Sequence, residues 1–308
     1  MKTALLFAGQ GSQTVGMGRD LCEQHDVCRQ LFVRANEVLG RDIQRICFKG
    51  PEDILTKTDN AQPGIFLTSL ACLEALKSQV PNLAFDATAG LSLGEFTALA
   101  AADAVSFDDG LRMVQLRGRY MQEACDSTKG AMASIINMDD AALAEVCREA
   151  EVDIANINSP GQIVISGDKE KIARAVELAK ARGAKRAIPL VVAGAYHSRL
   201  MESAKIKVAA ALATLPMREP KVPVVSNVSA RPVGSVAETK DLLVRQVTSS
   251  VRWCESMQWL VSQGFTRFIE LGPGNVLSSL MKRIHKDAEI LSVSDSATLA
   301  ATVAKLRG

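Results

Sequence analysis

The chain opens on an apolar run, TALLFAG, that breaks into a glycine-rich turn, GQGSQTVGMG, and the run predicts a short strand. Apolar positions at helical spacing then fill residues 19 to 39 and 63 to 79. FDATAG predicts a short buried strand, followed at once by a helix, LGEFTALAAA. Ser106 stands as N-cap before a further helix, FDDGLRMVQLRGRYMQEAC. Strand, turn and helix in this order define an α/β layer structure with a parallel sheet.

Between residues 127 and 191 the pattern changes. GAMASIINM predicts a strand, DDAALAEVCREA a helix and VDIANINSPGQIVISG a pair of strands. DKEKIARAVELAKARG then reads as a helix and AKRAIPLVV as a strand. Strand, helix, strand, strand, helix, strand is the ferredoxin-like order. Residues 127–191 are therefore expected to form a small inserted domain of about 65 residues, a usual domain size. Residues 1–126 and 192–308 would form the larger α/β core. In its second part the pattern resumes with a helix over 199–213, a strand PVVSNV, a helix near 238–247, a strand FIELG and a helix over 275–285. There is no long repeat and no low-complexity segment.

Composition narrows the class. With 47% hydrophobic residues, 23% charged residues and a net charge of +2, the chain has an ordinary globular balance and no excess of positive charge for nucleic acid. The first apolar run is too short for a signal peptide, and no stretch approaches the ~20 apolar residues that span a bilayer. A soluble, cytoplasmic protein is expected. Seven cysteines, none in a Cys-x-x-Cys pair, point to buried thiols rather than disulfides or a zinc site. The histidines are His25, His197 and His285, so a mechanism that needs an imidazole base has three candidates.

Gly90-Leu91-Ser92-Leu93-Gly94 fits G-x-S-x-G, the nucleophile elbow. A strand turning sharply into a helix strains the residue at the apex, and glycines two positions either side relieve the collision. The hydroxyl is thrust outward and the Leu93 amide is left free at the helix N-terminus, where it can donate to an oxyanion. The same serine could instead be a plain N-cap, and the local pattern leaves the two readings level. A nucleophilic serine needs a base. His197 lies in VVAGAYHSRLM, between a strand and a helix and behind the small residues Ala193, Gly194 and Ala195. His25 ends a polar helix and His285 sits in a basic helical tail, so position favours His197.

Seven stretches in order, LFAGQGSQTVGMG, GLSLGE, QLRGRYMQEA, ANINSPGQIVISG, GAYHSRLM, RQVTSSVRW and ELGPGNVL, resemble the motifs of malonyl-CoA:acyl carrier protein transacylases over nearly the whole chain. The free-standing bacterial enzymes of type II fatty acid synthesis are the best comparison. The resemblance implies a hydrolase-like α/β core with a ferredoxin-like insertion. It makes Ser92 the nucleophile, His197 the general base, and the amides of Gln10 and Leu93 the oxyanion hole. It further implies that Arg117 binds the malonate carboxylate, that Gln246 positions the histidine, and that backbone carbonyls rather than an aspartate orient that histidine. Three positions depart from the family pattern. Leu91 precedes the nucleophile where histidine is usual, Tyr196 replaces a phenylalanine in GAYHS, and Asn275 stands where lysine is frequent.

The implied reaction is a ping-pong transfer without a cofactor. Malonyl-CoA acylates Ser92, and the phosphopantetheine thiol of an acidic acyl carrier protein takes the malonyl group away. The protein is expected to be a monomer without nucleic-acid or membrane partners. Basic segments at 179–187 and 281–286 could face the carrier, although a charged run is by default a solvated helix face. Arg117 is equally open locally: in LRMVQLRGRYM it flanks the apolar pair Leu116 and Tyr120, and helical spacing does not decide whether it is buried. The rival enzyme class is a serine esterase or thioesterase, with water as acceptor. Use of the first glycine-rich turn as a phosphate loop is disfavoured, because it has neither a P-loop ending nor G-x-G-x-x-G spacing. Transacylases of polyketide synthesis and of malonate decarboxylation would share all these motifs.

Overall fold

A computed structural model describes all 308 residues. In chain order its strands are β1 Lys2–Phe7, β2 Ala87–Gly90, β3 Gly130–Ile136, β4 Asp153–Ser159, β5 Gln162–Asp168, β6 Arg186–Pro189, β7 Val224–Val225, β8 Phe265–Leu271 and β9 Glu289–Val293. They make two sheets, a parallel one ordered β7-β2-β1-β8-β9 and an antiparallel one ordered β4-β5-β3-β6.

The parallel sheet is covered on both faces, which is why its strands read as unbroken apolar runs. In β1, Leu5 and Phe7 enter one hydrophobic core while Ala4 and Leu6 enter another on the opposite face. In β8, Ile269 and Leu271 join the first core, and Phe265 and Phe268 the second. The antiparallel sheet obeys the same period of two. Ala133, Ile135, Ile163 and Ile165 pack with side chains of helices Asp140–Ala150 and Lys169–Ala181 in a separate core. Met132 and Val164, one residue out of step, belong instead to the large core. Sheet order and the two helices on one face are those of a ferredoxin-like fold. The chain is thus α/β, a parallel-sheet core with a small antiparallel sheet inserted.

Several elements differ from the pattern-based expectation, each for a local reason. The helix expected over 19–39 is two, Arg19–Gln24 and Asp26–Leu39, broken by the extended backbone of His25. The break lets Leu21 and Cys22 on the first helix and Cys28 and Phe32 on the second reach one core. The helix expected at residue 63 starts earlier, as Thr58–Gln79, and runs through Pro63. Proline has no N–H to give the carbonyl of Asp59, and that carbonyl accepts from Arg41 Nη2 at 2.8 Å instead. The helix expected over 199–213 is a 3₁₀ turn, Arg199–Met201, leading into Glu202–Thr214. PVVSNV contributes only two residues to the sheet before Ser226 and Asn227 leave it. Helices Ile43–Lys49, Glu52–Thr56, Trp253–Ser262 and Ser296–Arg307, with strand β9, were not foreseen. All seven cysteines are buried and unpaired, and no helix is long and apolar enough to cross a membrane.

Removing one helix cap tests the inserted sheet as a folding element. The Asp168 carboxylate accepts from the amides of Glu170 and Lys171 at the start of the helix that covers the sheet. Asp168→Ala should cost about 1 kcal/mol in urea unfolding and leave acyl transfer at the normal rate.

Candidate active site

β2 ends at Gly90, and the helix Leu93–Ala101 begins three residues later with Ser92 as its N-terminal cap residue. Ser92 has φ 54° and ψ −102°, a backbone state that a residue with a Cβ rarely occupies. Its side chain makes no capping bond to the helix, which removes the plain N-cap reading. The turn leaves no room beside it. A Cβ on Gly90 would lie 1.9 Å from the Gly94 carbonyl, and one on Gly94 would lie 2.2 Å from the carbonyl oxygen of Phe7. Asn227, just past β7, clasps the bend from both sides. Its Oδ1 accepts from the Ser92 amide at 2.6 Å and its Nδ2 donates to the Gly90 carbonyl at 2.8 Å. The site thus stands at the carboxyl ends of the parallel strands, where α/β sheets form their crevices.

Four of the expected residues converge here. Ser92 Oγ lies 2.8 Å from His197 Nε2, and His197 Nδ1 lies 2.8 Å from the Gln246 carbonyl oxygen. A carbonyl can only accept, so Nδ1 carries the proton and the Nε2 lone pair faces the serine hydroxyl. Burial first, then the Arg117 charge, push the His197 pKa down to about 4. The imidazole is therefore neutral at pH 7 and free to take a proton. Arg117, 1% exposed, projects from helix Phe107–Asp126. Its Nη2 donates to Ser92 Oγ at 3.0 Å and to Gln246 Oε1 at 2.9 Å, and its Nη1 donates to Gln62 Oε1 at 2.8 Å. Burial draws its pKa down to about 10, still well above neutrality, and the guanidinium lies 5.5 Å from the ring centre of Phe96. Such a cation touches only neutral acceptors, with Nε unpartnered and no anion in direct contact.

The other expected residues complete the wall. Neither the Gln10 amide nor the Leu93 amide has an acceptor within the protein, and Leu93 opens the helix whose positive end faces the elbow. The Gln10 side chain is pinned: Nε2 donates to Tyr196 OH at 3.2 Å and to Thr58 Oγ1 at 3.3 Å, while Oε1 accepts from Gln62 at 3.3 Å. The hydroxyl that sets Tyr196 apart is spent on this network, with 2.6 Å to Thr58 Oγ1. A cavity of about 270 Å³ opens between the two sheets, bordered by Ser92, His197, Gln10, Leu91 and Tyr196 on the core side. Asn156, Gln162 and Val164 of the inserted sheet border it opposite, with Val191 and Val276 among the rim residues. Arg117 does not border it; the guanidinium sits behind the serine. His25 and His285 cap helix ends outside the cavity. Gln62, Glu95 and Asn227 were not foreseen in any role at this site.

The comparisons agree with the geometry. The model of the acyl transferase domain matches residues 4–305. A malonyl CoA-acyl carrier protein transacylase of Bacillus subtilis is 44% identical over 99% of this chain and 98% of its own length. An acyl-carrier-protein-S-malonyltransferase from Bartonella henselae superimposes with a TM-score of 0.95 at 38% identity, covering both chains completely. A malonyl-transacylase solved in complex with a type II PKS acyl-carrier protein superimposes equally well, TM-score 0.95 at 38% identity, over 99% of this chain and all of that one. The chain therefore belongs to the acyl transferase family, among its malonyl CoA-acyl carrier protein transacylases. It is an acyltransferase.

Two outcomes follow from the elbow and its base. Gly94→Ala drives a Cβ into backbone, and should lower stability in urea unfolding by about 3 kcal/mol while abolishing acylation. The pH profile of the acylation rate reports the imidazole. His197 is deprotonated above about 4, so kcat/KM for acetyl-CoA, a donor without a free carboxylate, should stay level as pH falls from 7 to about 5 and drop only beyond that. A limb centred near the ordinary histidine value of about 6.5 would show that the base is solvated. The same depressed value removes stability as pH falls from about 6.5 towards 4, because the unfolded chain takes up the proton first.

Proposed function

We propose that this chain transfers the malonyl group from malonyl-CoA to the phosphopantetheine thiol of acyl carrier protein, supplying fatty acid synthesis in the cytoplasm. The observation that carries the reading is a buried guanidinium 3.0 Å from the candidate nucleophile. A simple esterase has no use for a desolvated cation beside its serine, whereas an acyl group ending in a carboxylate can pair with it directly. Arg117 is the clamp: it can grip a carboxylate through two parallel charge-assisted bonds.

The steps follow from the atoms in place. His197 Nε2 takes the Ser92 proton as Oγ attacks the thioester carbonyl, and the Leu93 and Gln10 amides hold the oxyanion. The Gln246 carbonyl keeps the imidazolium oriented. Coenzyme A leaves with the proton from His197, and a malonyl ester remains on Ser92. The carrier thiol then reverses the sequence, giving its proton to His197 as its sulfur attacks the ester. The steps call only on the substrates and on the residues named.

The carrier would approach over helix Val276–Ile284. Val276 and Leu280 of this helix border the cavity, and exposed Lys282 and Lys286 lie at its end. The other basic segment is a poorer choice. Its helix, Lys169–Ala181, covers the face of the inserted sheet turned away from the cavity, and Lys180 and Arg182 pair with Glu177 and Glu149.

Mass spectrometry of the intact protein after brief exposure to malonyl-, methylmalonyl- and acetyl-CoA tests the substrate. A malonyl adduct should dominate, and Arg117→Ala should lose it by about 10²-fold or more while acetyl loading persists or rises. Equal loss on both donors would refute the carboxylate role. Reversing Lys282 and Lys286 to glutamate should raise the KM for carrier protein and leave that for malonyl-CoA unchanged; parallel changes would move the docking face elsewhere.

A further inference from the structure

Glu95 sits in the first turn of the helix that Ser92 opens, with no accessible surface. The mechanism above does not use it. One oxygen, Oε2, accepts from Gln246 Nε2 at 2.7 Å and from the Asn227 amide at 3.1 Å; the other, Oε1, is buried without a partner. Arg117 occupies the same buried region and also has an unpartnered polar atom, Nε. The two charges do not meet directly. The amide of Gln246 lies between them, its oxygen accepting from Arg117 Nη2 and its nitrogen donating to Glu95.

That arrangement fixes the amide. Turned over, Gln246 would set donor against donor at the guanidinium and acceptor against acceptor at the carboxylate. Correctly turned, it also donates from Nε2 to the Ser92 carbonyl at 3.0 Å, so one side chain ties the elbow, the cation and the anion together. Asn227 makes a second link, since the residue whose amide Glu95 accepts is the one that clasps the bend. A direct ion pair would occupy the guanidinium. A pair bridged through an amide keeps the buried charge near zero while the guanidinium meets only neutral acceptors, which an incoming carboxylate can displace.

We propose that Glu95 is a positioning residue and the resident counter-charge of Arg117, and that it sets how strongly the enzyme prefers an acyl group bearing a carboxylate. The proposal rests on the reading of Arg117 as the clamp. When a malonyl carboxylate reaches Arg117, the site holds one positive and two negative charges, and Glu95 is the anion that can yield by taking a proton. Its carboxyl is poised for this: burial raises its pKa to about 7, against the lowering effect of its bonds to Gln246 and Asn227, of the nearby Ser226 hydroxyl and of the Arg117 charge. The other titratable groups around the site are Arg117, His197, Tyr196 and Cys125, which lies against Tyr196. With values near 10, 4, 12 and 11 they hold one protonation state between about pH 6 and 8.5. In that window only Glu95 changes charge. Ionised, it competes with the substrate for Arg117; neutral, it does not.

The test is single-turnover acylation by malonyl-CoA and acetyl-CoA from pH 6 to 8.5, in the wild type, Glu95→Gln and Glu95→Ala, with thermal melting as a check on folding. In the wild type the malonyl-to-acetyl ratio of kcat/KM should fall roughly tenfold as pH rises, because Glu95 ionises and draws on Arg117. Glu95→Gln keeps an oxygen that can accept from Gln246 and Asn227 but bears no charge, so its ratio should stay at the low-pH value throughout. Glu95→Ala removes the acceptor and should slow both donors together. A flat ratio in the wild type overturns the proposal without any variant, and so does a Glu95→Gln enzyme that keeps the pH dependence. Arg117→Ala, assayed alongside, separates the two claims: if it still prefers malonyl-CoA the clamp reading fails, whereas loss of preference with a flat wild-type ratio leaves the clamp standing and removes only Glu95.

Discussion

The arrangement hangs on one bend of backbone. Ser92 is held at φ 54° because Gly90 and Gly94 let three segments of main chain touch, and because Asn227 bonds to the chain on both sides of the apex. A residue in that state costs on the order of 1–3 kcal/mol and persists only where its surroundings over-determine it. The strain places the hydroxyl between an imidazole and a guanidinium while the next amide stays unpaired. His197 is strained in the same sense, with φ 55°, on a segment that meets the elbow from the opposite side. Two left-handed residues at one hydrogen bond's length mark the place where the fold gives up local stability for chemistry.

Burial sets the protonation states. The same exclusion of water that pushes His197 down into its neutral form draws on Arg117 without discharging it and raises Glu95 towards neutrality. A solvated version of these residues would have a partly protonated base and a hydrated cation with little preference for a ligand. Instead the imidazole is neutral at neutral pH, and the guanidinium keeps its charge in a medium where charge interactions count for more than in water.

Much of this could be read along the chain. The apolar runs marked the strands of a sheet covered on both faces, the change of rhythm after residue 127 marked the inserted sheet, and G-x-S-x-G marked the bend. Burial of Arg117 was also legible to a more careful count. Met113, Val114, Met121, Ala124 and Cys125 form the buried stripe of their helix, and Arg117 lies on it three and four residues from its neighbours. Anchoring the reading on Leu116 and Tyr120, which are only half-buried, hid that. Gln62, Glu95 and Asn227 had no such signal. Their partners lie 52 to 151 residues away along the chain, and the glutamate in GLSLGE looks locally like ordinary first-turn charge. Pro63 misled for a related reason, since the guanidinium that satisfies the freed carbonyl comes from Arg41, outside the helix.

The central claim is that acyl transfer passes through the Ser92 hydroxyl, and Ser92→Ala tests it most directly. The variant should fold as the wild type does, give no stable malonyl adduct with malonyl-CoA, and lose exchange of the malonyl group between coenzyme A and carrier protein by several orders of magnitude. Exchange at the normal rate, or a malonyl ester mapped to another residue in the wild type, would contradict the account.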